Sequence, residues 1–227
     1  MAAEPLADEG TSYAVVEQEP PEILGRNLIS ASYLLAGATA FFFIAFVFAY
    51  FYLRSLNNAG MWKPHGVDAS IGWGTAVVAC YALSAVLVRL SLGERRALRR
   101  SQWRLKGLAA LLFGVVGLVL QVIDWTQESF GPADGGFASV YFGWTAFLFL
   151  FVLCTLLWLE MSVAMSFRYR KTDGPPPAGH ASGDPHRRAP DISDPLSLIR
   201  AELVGLSFYW TFLAGIAVVS WVILYLI

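Results

Sequence analysis

Histidine is scarce in this chain, and its few positions lie outside the long apolar segments. The 227 residues include three histidines, His65, His180 and His186. Haem iron takes His, Met, Cys or Tyr as axial ligand, and copper sites use imidazole or thiolate. Because no apolar segment contains a histidine, we expect this chain to bind no haem, to hold no copper centre or other metal, and to contribute no catalytic residue.

Cysteine and intramembrane charge are also scarce. The two cysteines, Cys80 and Cys154, lie in separate apolar runs and form no metal-binding spacing. An ion or solute carrier needs polar groups near the middle of the membrane, where charges are costly and therefore functional. The charged residues within the apolar runs lie close to the ends of those runs. This distribution argues against an independent small transporter, which remains an alternative.

Long apolar runs are abundant, and five of them divide the chain. Spanning a hydrocarbon core of ~30 Å takes ~20 helical residues. Within lipid each segment must pair its own backbone N–H and C=O groups, which favours helices. The sequence therefore predicts an all-α, five-helix transmembrane bundle. The predicted spans are about 28–53, 71–92, 105–125, 137–167 and 201–227.

Basic residues fall almost entirely in alternate gaps between these runs. Of the 16 Lys and Arg residues, only Arg54 and Lys63 lie on the opposite side from the others. Basic residues of short loops stay in the cytoplasm, so we expect the N-terminus inside and the C-terminus outside. The basic cluster over residues 95–104 is what this topology requires. We therefore expect no nucleic-acid binding, and contact with anionic lipid headgroups instead.

Two segments lack the composition of a packed helix. Residues 1–27 are acidic, contain proline and have no basic region of a cleavable signal, so they predict a flexible cytoplasmic tail. Residues 172–195 are rich in Pro, Gly, Asp and His and predict a disordered cytoplasmic linker. The membrane domain is then 28–227.

A polar pair stands out near the end of the third run. Gln121 and Asp124 are three residues apart, so both lie on one face of a helix. Such a pair predicts a contact with a neighbouring helix, and the alternative is that both side chains face the headgroups. Gly114 and Gly117 in the same run would let another helix, in this chain or in a partner, approach closely.

Several strings, in this order, resemble subunit III of the haem–copper oxidases, the cytochrome c oxidase subunit III family. The first span ends in FAYFYLR, the third ends in LQVIDW, the string GGFASVYFGWTAF follows, and the last span contains FYWTF. LQVIDW is the most telling, since the family has Leu-Gln, two residues, then an acid and an aromatic. The resemblance covers about residues 28–227 and implies the short, five-span form of the family.

The chain departs from the family at several polar positions. Thr39 stands where the family often has an acidic residue, and Leu148 and Phe151 stand where its fourth span carries two histidines. After Tyr209 and Trp210, Thr211 replaces another family histidine. The resemblance therefore does not imply that this chain has the family's roles in proton uptake or lipid handling that use these positions.

The resemblance implies a non-catalytic subunit of a terminal oxidase in a bacterial-type plasma membrane. Its partners would be oxidase subunit I, which carries haem and copper, subunit II, and phospholipid. The alternative is the related accessory subunit of a nitric oxide reductase. The residues expected to matter structurally are the polar pair Gln121 and Asp124, the packing or lipid-contact residues Tyr209 and Trp210, and Arg54 against a lipid phosphate at the outer surface.

Overall fold

The computed structural model describes residues 21–57, 60–96, 100–168 and 195–227, and this part of the chain is helical with no strand. Within it, five helices are long and apolar enough to cross a membrane, which confirms the predicted all-α, five-span fold. The helices are α1 Pro21–Ser55, α2 Ile71–Arg96, α3 Arg100–Gln127, α4 Gly136–Arg168 and α5 Pro195–Trp221, and a π-helical turn, Val222–Leu226, follows α5.

Two helices begin earlier than the apolar pattern predicts. Helix α1 begins at Pro21, so the predicted tail over 1–27 is too long by its last seven residues. Helix α5 begins at Pro195, the last residue of the predicted linker over 172–195. Proline has no N–H to lose in a first helical turn and is preset for helical φ, so a helix can start there before the apolar run begins. Residues 1–20 and 172–194 lie outside the described residues.

Helix α5 contacts three of the other helices, α1, α2 and α4. Helix α2 packs along α3, and α4 contacts both α3 and α1. The approach of α2 to α3 is close, because a Cβ added at Gly117 would lie 2.5 Å from Cε1 of Tyr81. A Cβ at Gly114 would collide with Leu156 of α4. The glycines of α3 therefore serve packing within this chain.

The loop after α1 (residues 56–57 and 60–70) and the loop after α3 (residues 128–135) lie together at one end of the bundle. We call this the outer end, because the charge pattern places it outside. The backbone N–H of Phe137 donates to the carbonyl oxygen of Trp62 over 2.9 Å. Gly135 adopts a φ of +141°, and a Cβ there would lie 2.8 Å from Cδ of Pro64, so glycine is required at this contact. The direction of the chain across the membrane stays a prediction from charge.

Candidate functional site

A carboxyl group is buried between helices at the outer end of the bundle. Asp124, in the last turn of α3, is 0% exposed. Its Oδ2 accepts hydrogen bonds from Nε2 of Gln121 over 3.0 Å and from the hydroxyl of Tyr141 in α4 over 2.6 Å. Gln121 is buried as well. Both members of the predicted pair thus face the interior of the bundle, and neither faces the headgroups.

A second tyrosine completes this group, which we call the Asp124 cluster: Gln121, Asp124, Tyr141 and Tyr225. The hydroxyl of Tyr225 lies 3.1 Å from that of Tyr141 and 3.3 Å from Oδ2 of Asp124. A hydroxyl carries a single proton, so Tyr225 donates to one of these two oxygens at a time. The cluster thereby joins α3 and α4 to the turn that follows α5.

Tyr225 reaches the cluster because of two local features. It lies in the π-helical turn Val222–Leu226, where an additional residue per turn alters the direction of the side chains. Its ring lies against the backbone of α2, since a Cβ at Gly74 would collide with the ring carbons. Sequence reasoning missed Tyr141 and Tyr225. Tyrosine is common wherever helices meet the membrane surface, so residue type gave no signal that these two face inward.

No Lys or Arg side chain is among the hydrogen-bond partners described for Asp124, whose Oδ1 has no partner among the described residues. Glu128, four residues further on, adds a second carboxylate, and its Oε1 accepts from the backbone N–H of Ser70 over 2.9 Å. Burial raises the pKa of the Glu128 carboxyl above its usual range. The Ser70 N–H opposes this rise and the nearby Asp124 charge adds to it. The outer end therefore has an acidic, hydrogen-bonded interior suited to joining helices.

Tyr209 and Trp210 lie deeper in the bundle, and each is 2% exposed. The Tyr209 hydroxyl lies 2.9 Å from Oγ1 of Thr39 in α1. Trp210 donates from Nε1 to Oγ of Ser84 in α2 over 3.1 Å, and Ser84 donates to the carbonyl oxygen of Ala110 in α3 over 2.6 Å. These side chains are therefore packing residues with almost no surface left for lipid.

Two of the positions that the sequence analysis singled out, Thr39 and Thr211, form hydrogen bonds. Thr39 bonds to Tyr209, as described above. Thr211 accepts from Nε of Arg89 in α2 over 3.0 Å. Neutral hydroxyls at these positions link α5 to α1 and to α2. In the interior, the Thr39–Tyr209 and Trp210–Ser84 hydrogen bonds thus join helices through uncharged side chains.

Arg54 lies apart from both groups, in the last turn of α1 at the outer end. Its side chain is exposed, with the guanidinium carbon 6.0 Å from the ring centroid of Tyr50. The structure thus brings Gln121 and Asp124 together, places Tyr209 and Trp210 deeper, and leaves Arg54 on the surface. Among the described residues, no group of three or more His, Cys, Asp and Glu side chains is arranged to hold a metal ion.

Five long apolar helices, joined by hydrogen bonds between side chains, define an integral, multi-pass membrane protein. A sequence model of cytochrome c oxidase subunit III matches residues 26–176, which include most of α1 and all of α2, α3 and α4. The chain belongs to the cytochrome c oxidase subunit III family, as its ordered strings predicted. Membership of this haem–copper oxidase family implies association with other oxidase subunits.

A second similarity is shorter. Over 75 residues the chain is 33% identical to proteins described as manganese efflux pumps in Xanthomonas oryzae pv. oryzae (strain MAFF 311018) and Xanthomonas euvesicatoria pv. vesicatoria (strain 85-10). The aligned segment covers 33% of this chain and 37% of each of those proteins. The chain thus spans little more than a third of the length of these relatives.

Proposed function

We propose that this protein is the non-catalytic subunit III of a terminal haem–copper oxidase in a bacterial-type plasma membrane. It would pack beside subunit I, which holds haem and copper, and near subunit II, and the complex would reduce oxygen to water. The family match over residues 26–176 is the observation that carries this proposal. Its contribution would be to stabilise subunit I and the lipid at their interface.

The interior of the bundle supports a structural role. Several of its buried polar side chains form bonds between helices, such as the hydrogen bond that Trp144 Nε1 donates to Ser220 Oγ over 2.7 Å. At the inner end, Oε1 of Glu202 in α5 accepts from Trp158 Nε1 over 2.9 Å and from Ser162 Oγ over 2.8 Å, both in α4. A bundle tied together in this way presents a fixed surface to a partner.

The exposed sides of the helices offer contacts for lipid and for another subunit. Large apolar side chains are exposed along α1, among them Leu34, Phe41 and Phe48. Within a membrane such side chains contact acyl chains or a neighbouring helix. We propose that Arg54, in the last turn of the same helix, binds a lipid phosphate.

Two alternatives to this proposal are a subunit of a different reductase complex and an independent transporter. The accessory subunit of a nitric oxide reductase would resemble this chain in sequence and be distinguished by the subunits that purify with it. Manganese transport is favoured only by the 75-residue similarity to the efflux pumps. Mn²⁺ prefers several oxygen ligands, whereas Asp124, Glu160 and Glu202 lie in three different helices and form no described cluster.

Purification of the tagged chain from its native membrane in mild detergent tests the proposal. We expect copurification of a large membrane subunit and a reduced-minus-oxidised spectrum of haem a or haem o, with copper by elemental analysis. A strain that lacks this chain should yield less subunit I, or an oxidase whose turnover decays faster. An untagged strain taken through the same purification is the control for adventitious haem proteins.

Two results would overturn the proposal. Haem b with non-haem iron and nitric oxide turnover would assign the chain to a nitric oxide reductase. A colourless protein that purifies alone and drives saturable Mn²⁺ movement in proteoliposomes would assign it to the transporters.

A further inference from the structure

A small cavity with a mostly apolar lining lies between α2, α3, α4 and α5, next to the Asp124 cluster. Its volume is about 20 Å³. Polar side chains from all four helices line it, together with apolar ones. The polar residues are Tyr81, Gln121, Thr145, Ser220, Trp221 and Tyr225.

One of these side chains is buried with an unsatisfied polar atom. Tyr81 of α2 is 2% exposed, and its hydroxyl has no hydrogen-bond partner among the described residues. Leaving a buried hydroxyl unpaired costs a protein more than one ordinary hydrogen bond contributes, so native structures rarely do so. The Tyr81 hydroxyl therefore requires a partner that the neighbouring side chains do not provide.

Gln121 is placed to share that partner. The ring of Tyr81 lies against Gly117, whose added Cβ would come within 2.5 Å of the ring. Gln121 follows Gly117 by four residues, so it lies one turn further along the same face of α3. The amide of Gln121 donates once, to Asp124, and keeps a second N–H and its carbonyl oxygen for another contact.

The size of the cavity sets the size of the ligand. A cavity needs ~10–15 Å³ to admit one water molecule, and that molecule needs two to four polar partners. A volume of about 20 Å³ admits one water and excludes lipid headgroups and organic solutes. A divalent cation such as Ca²⁺ binds several oxygen ligands, usually including carboxylates. The residues that line this cavity include no Asp or Glu, so the cavity does not suit such a cation.

We propose that this cavity binds one ordered water molecule, held by the Tyr81 hydroxyl and the Gln121 amide. The water extends the Asp124 cluster across to α2, so one continuous set of hydrogen bonds joins four helices. The proposed water site involves only residues of this chain. It can therefore be correct even if the chain is not subunit III of an oxidase.

The effect of Tyr81→Phe on stability has one sign if the cavity holds water and the opposite sign if it is dry. If the water is bound, Tyr81→Phe removes a hydrogen bond, and the folded-to-unfolded ratio should fall about 2- to 10-fold. If the cavity is dry, Tyr81→Phe removes an unsatisfied hydroxyl, and the ratio should rise. Tyr209→Phe is the matched control, because Tyr209 is equally buried and its hydroxyl has a partner in Thr39. Its ratio should fall in either case.

The direct measurement is a map of the purified full-length protein in its complex, at a resolution of about 2 Å or better. We expect a single peak within ~3.2 Å of both the Tyr81 hydroxyl and a side-chain atom of Gln121. A featureless cavity in that map, or a Tyr81→Phe variant more stable than the parent chain, would overturn the proposal.

Discussion

Asp124 illustrates how a carboxyl at the end of a membrane-spanning helix can be buried with no cation among its described hydrogen-bond partners. Three donor groups, on Gln121, Tyr141 and Tyr225, surround its Oδ2. A hydrogen bond to a buried acceptor is electrostatically stronger in a low-dielectric interior than it is in water. The side chain is thus both a polar group satisfied by its neighbours and an anchor for those neighbours.

We expect Asp124→Ala to destabilise the chain by ~2–4 kcal/mol, because it leaves buried donors on two tyrosines and a glutamine without their acceptor. Asp124→Asn keeps an acceptor oxygen and should cost less. Thermal unfolding in detergent and the yield of assembled complex would measure both effects. Asp68→Ala is the control, since Asp68 is 79% exposed in its ion pair with Lys63 and should cost under ~1 kcal/mol. Equal stability of the Asp124→Ala and Asp68→Ala variants would refute a contact role for Asp124.

Glu128 predicts a dependence of stability on pH. Burial, the largest cause, holds the pKa of its carboxyl above the usual range in the folded protein. The folded state therefore binds the proton more tightly than the unfolded state, and this contribution to stability is lost as pH rises through the ordinary glutamate range up to the raised value. Glu128→Gln keeps an acceptor for the Ser70 N–H but cannot ionise. The apparent melting temperature of the parent chain should fall relative to that of Glu128→Gln as the pH rises from below the ordinary glutamate range to above it, and a difference that stays constant over that rise would contradict the assignment.

At the scale of helices, hydrogen bonds and glycines contribute to helix association in different ways. Hydroxyl and indole groups tie particular pairs, as Ser84 does when it links Trp210 of α5 to Ala110 of α3. Glycines allow the backbones to come close enough for these bonds, as at Gly117 against Tyr81. Apolar side chains alone do not select partners in lipid, because acyl chains are equally apolar.

Gly117→Ala tests the close approach of α2 and α3. The new methyl would lie 2.5 Å from the Tyr81 ring and 3.3 Å from Cβ of Cys80, so the helices must separate. We expect a loss of ~1–3 kcal/mol, typical of overpacking. Gly37→Ala in α1 is the matched control, because a Cβ there would meet no atom within 4 Å and alanine favours helix. Thermal unfolding of the two variants should separate them, and similar melting temperatures would show that the contact at Gly117 is not tight.

At the scale of the whole molecule, the five spans form one bundle in which α5 is the common neighbour of α1, α2 and α4. Helix α5 lies beyond the family match, which ends at residue 176. Together with the π-helical turn that follows it, α5 nevertheless supplies Tyr209, Trp210 and Tyr225 to the buried hydrogen bonds. The fifth helix is therefore integral to the fold and is required for the outer polar cluster.

The charge pattern predicts the direction of the chain in the membrane. Green fluorescent protein inserted within residues 172–194 should fluoresce, because this segment is predicted to be cytoplasmic. Green fluorescent protein fused after Ile227 should be dark, because the C-terminus is predicted to lie outside and the fused protein would be exported through the general secretory route. Alkaline phosphatase fused at the same two places should give the opposite result. A fluorescent C-terminal fusion with inactive alkaline phosphatase would reverse the predicted topology.

The sequence alone determined the membrane-spanning class, the number of spans and the family. These depend on local properties, since an apolar run of ~20 residues must be helical in lipid whatever surrounds it. It also singled out Gln121 and Asp124, because a three-residue spacing fixes a shared helix face. Helix ends were less predictable, as Pro21 and Pro195 show, because a helix can continue into water beyond its apolar run.

Only the tertiary structure decided which faces meet. Tyr141 and Tyr225 are 84 residues apart and belong to one cluster because the turn after α5 places the second ring beside Gly74. The unsatisfied hydroxyl of Tyr81, which defines the proposed water site, likewise depends on how α2 rests on α3. Rotation of each helix about its axis is set by the packing of side chains from several helices at once, which no single run of sequence contains.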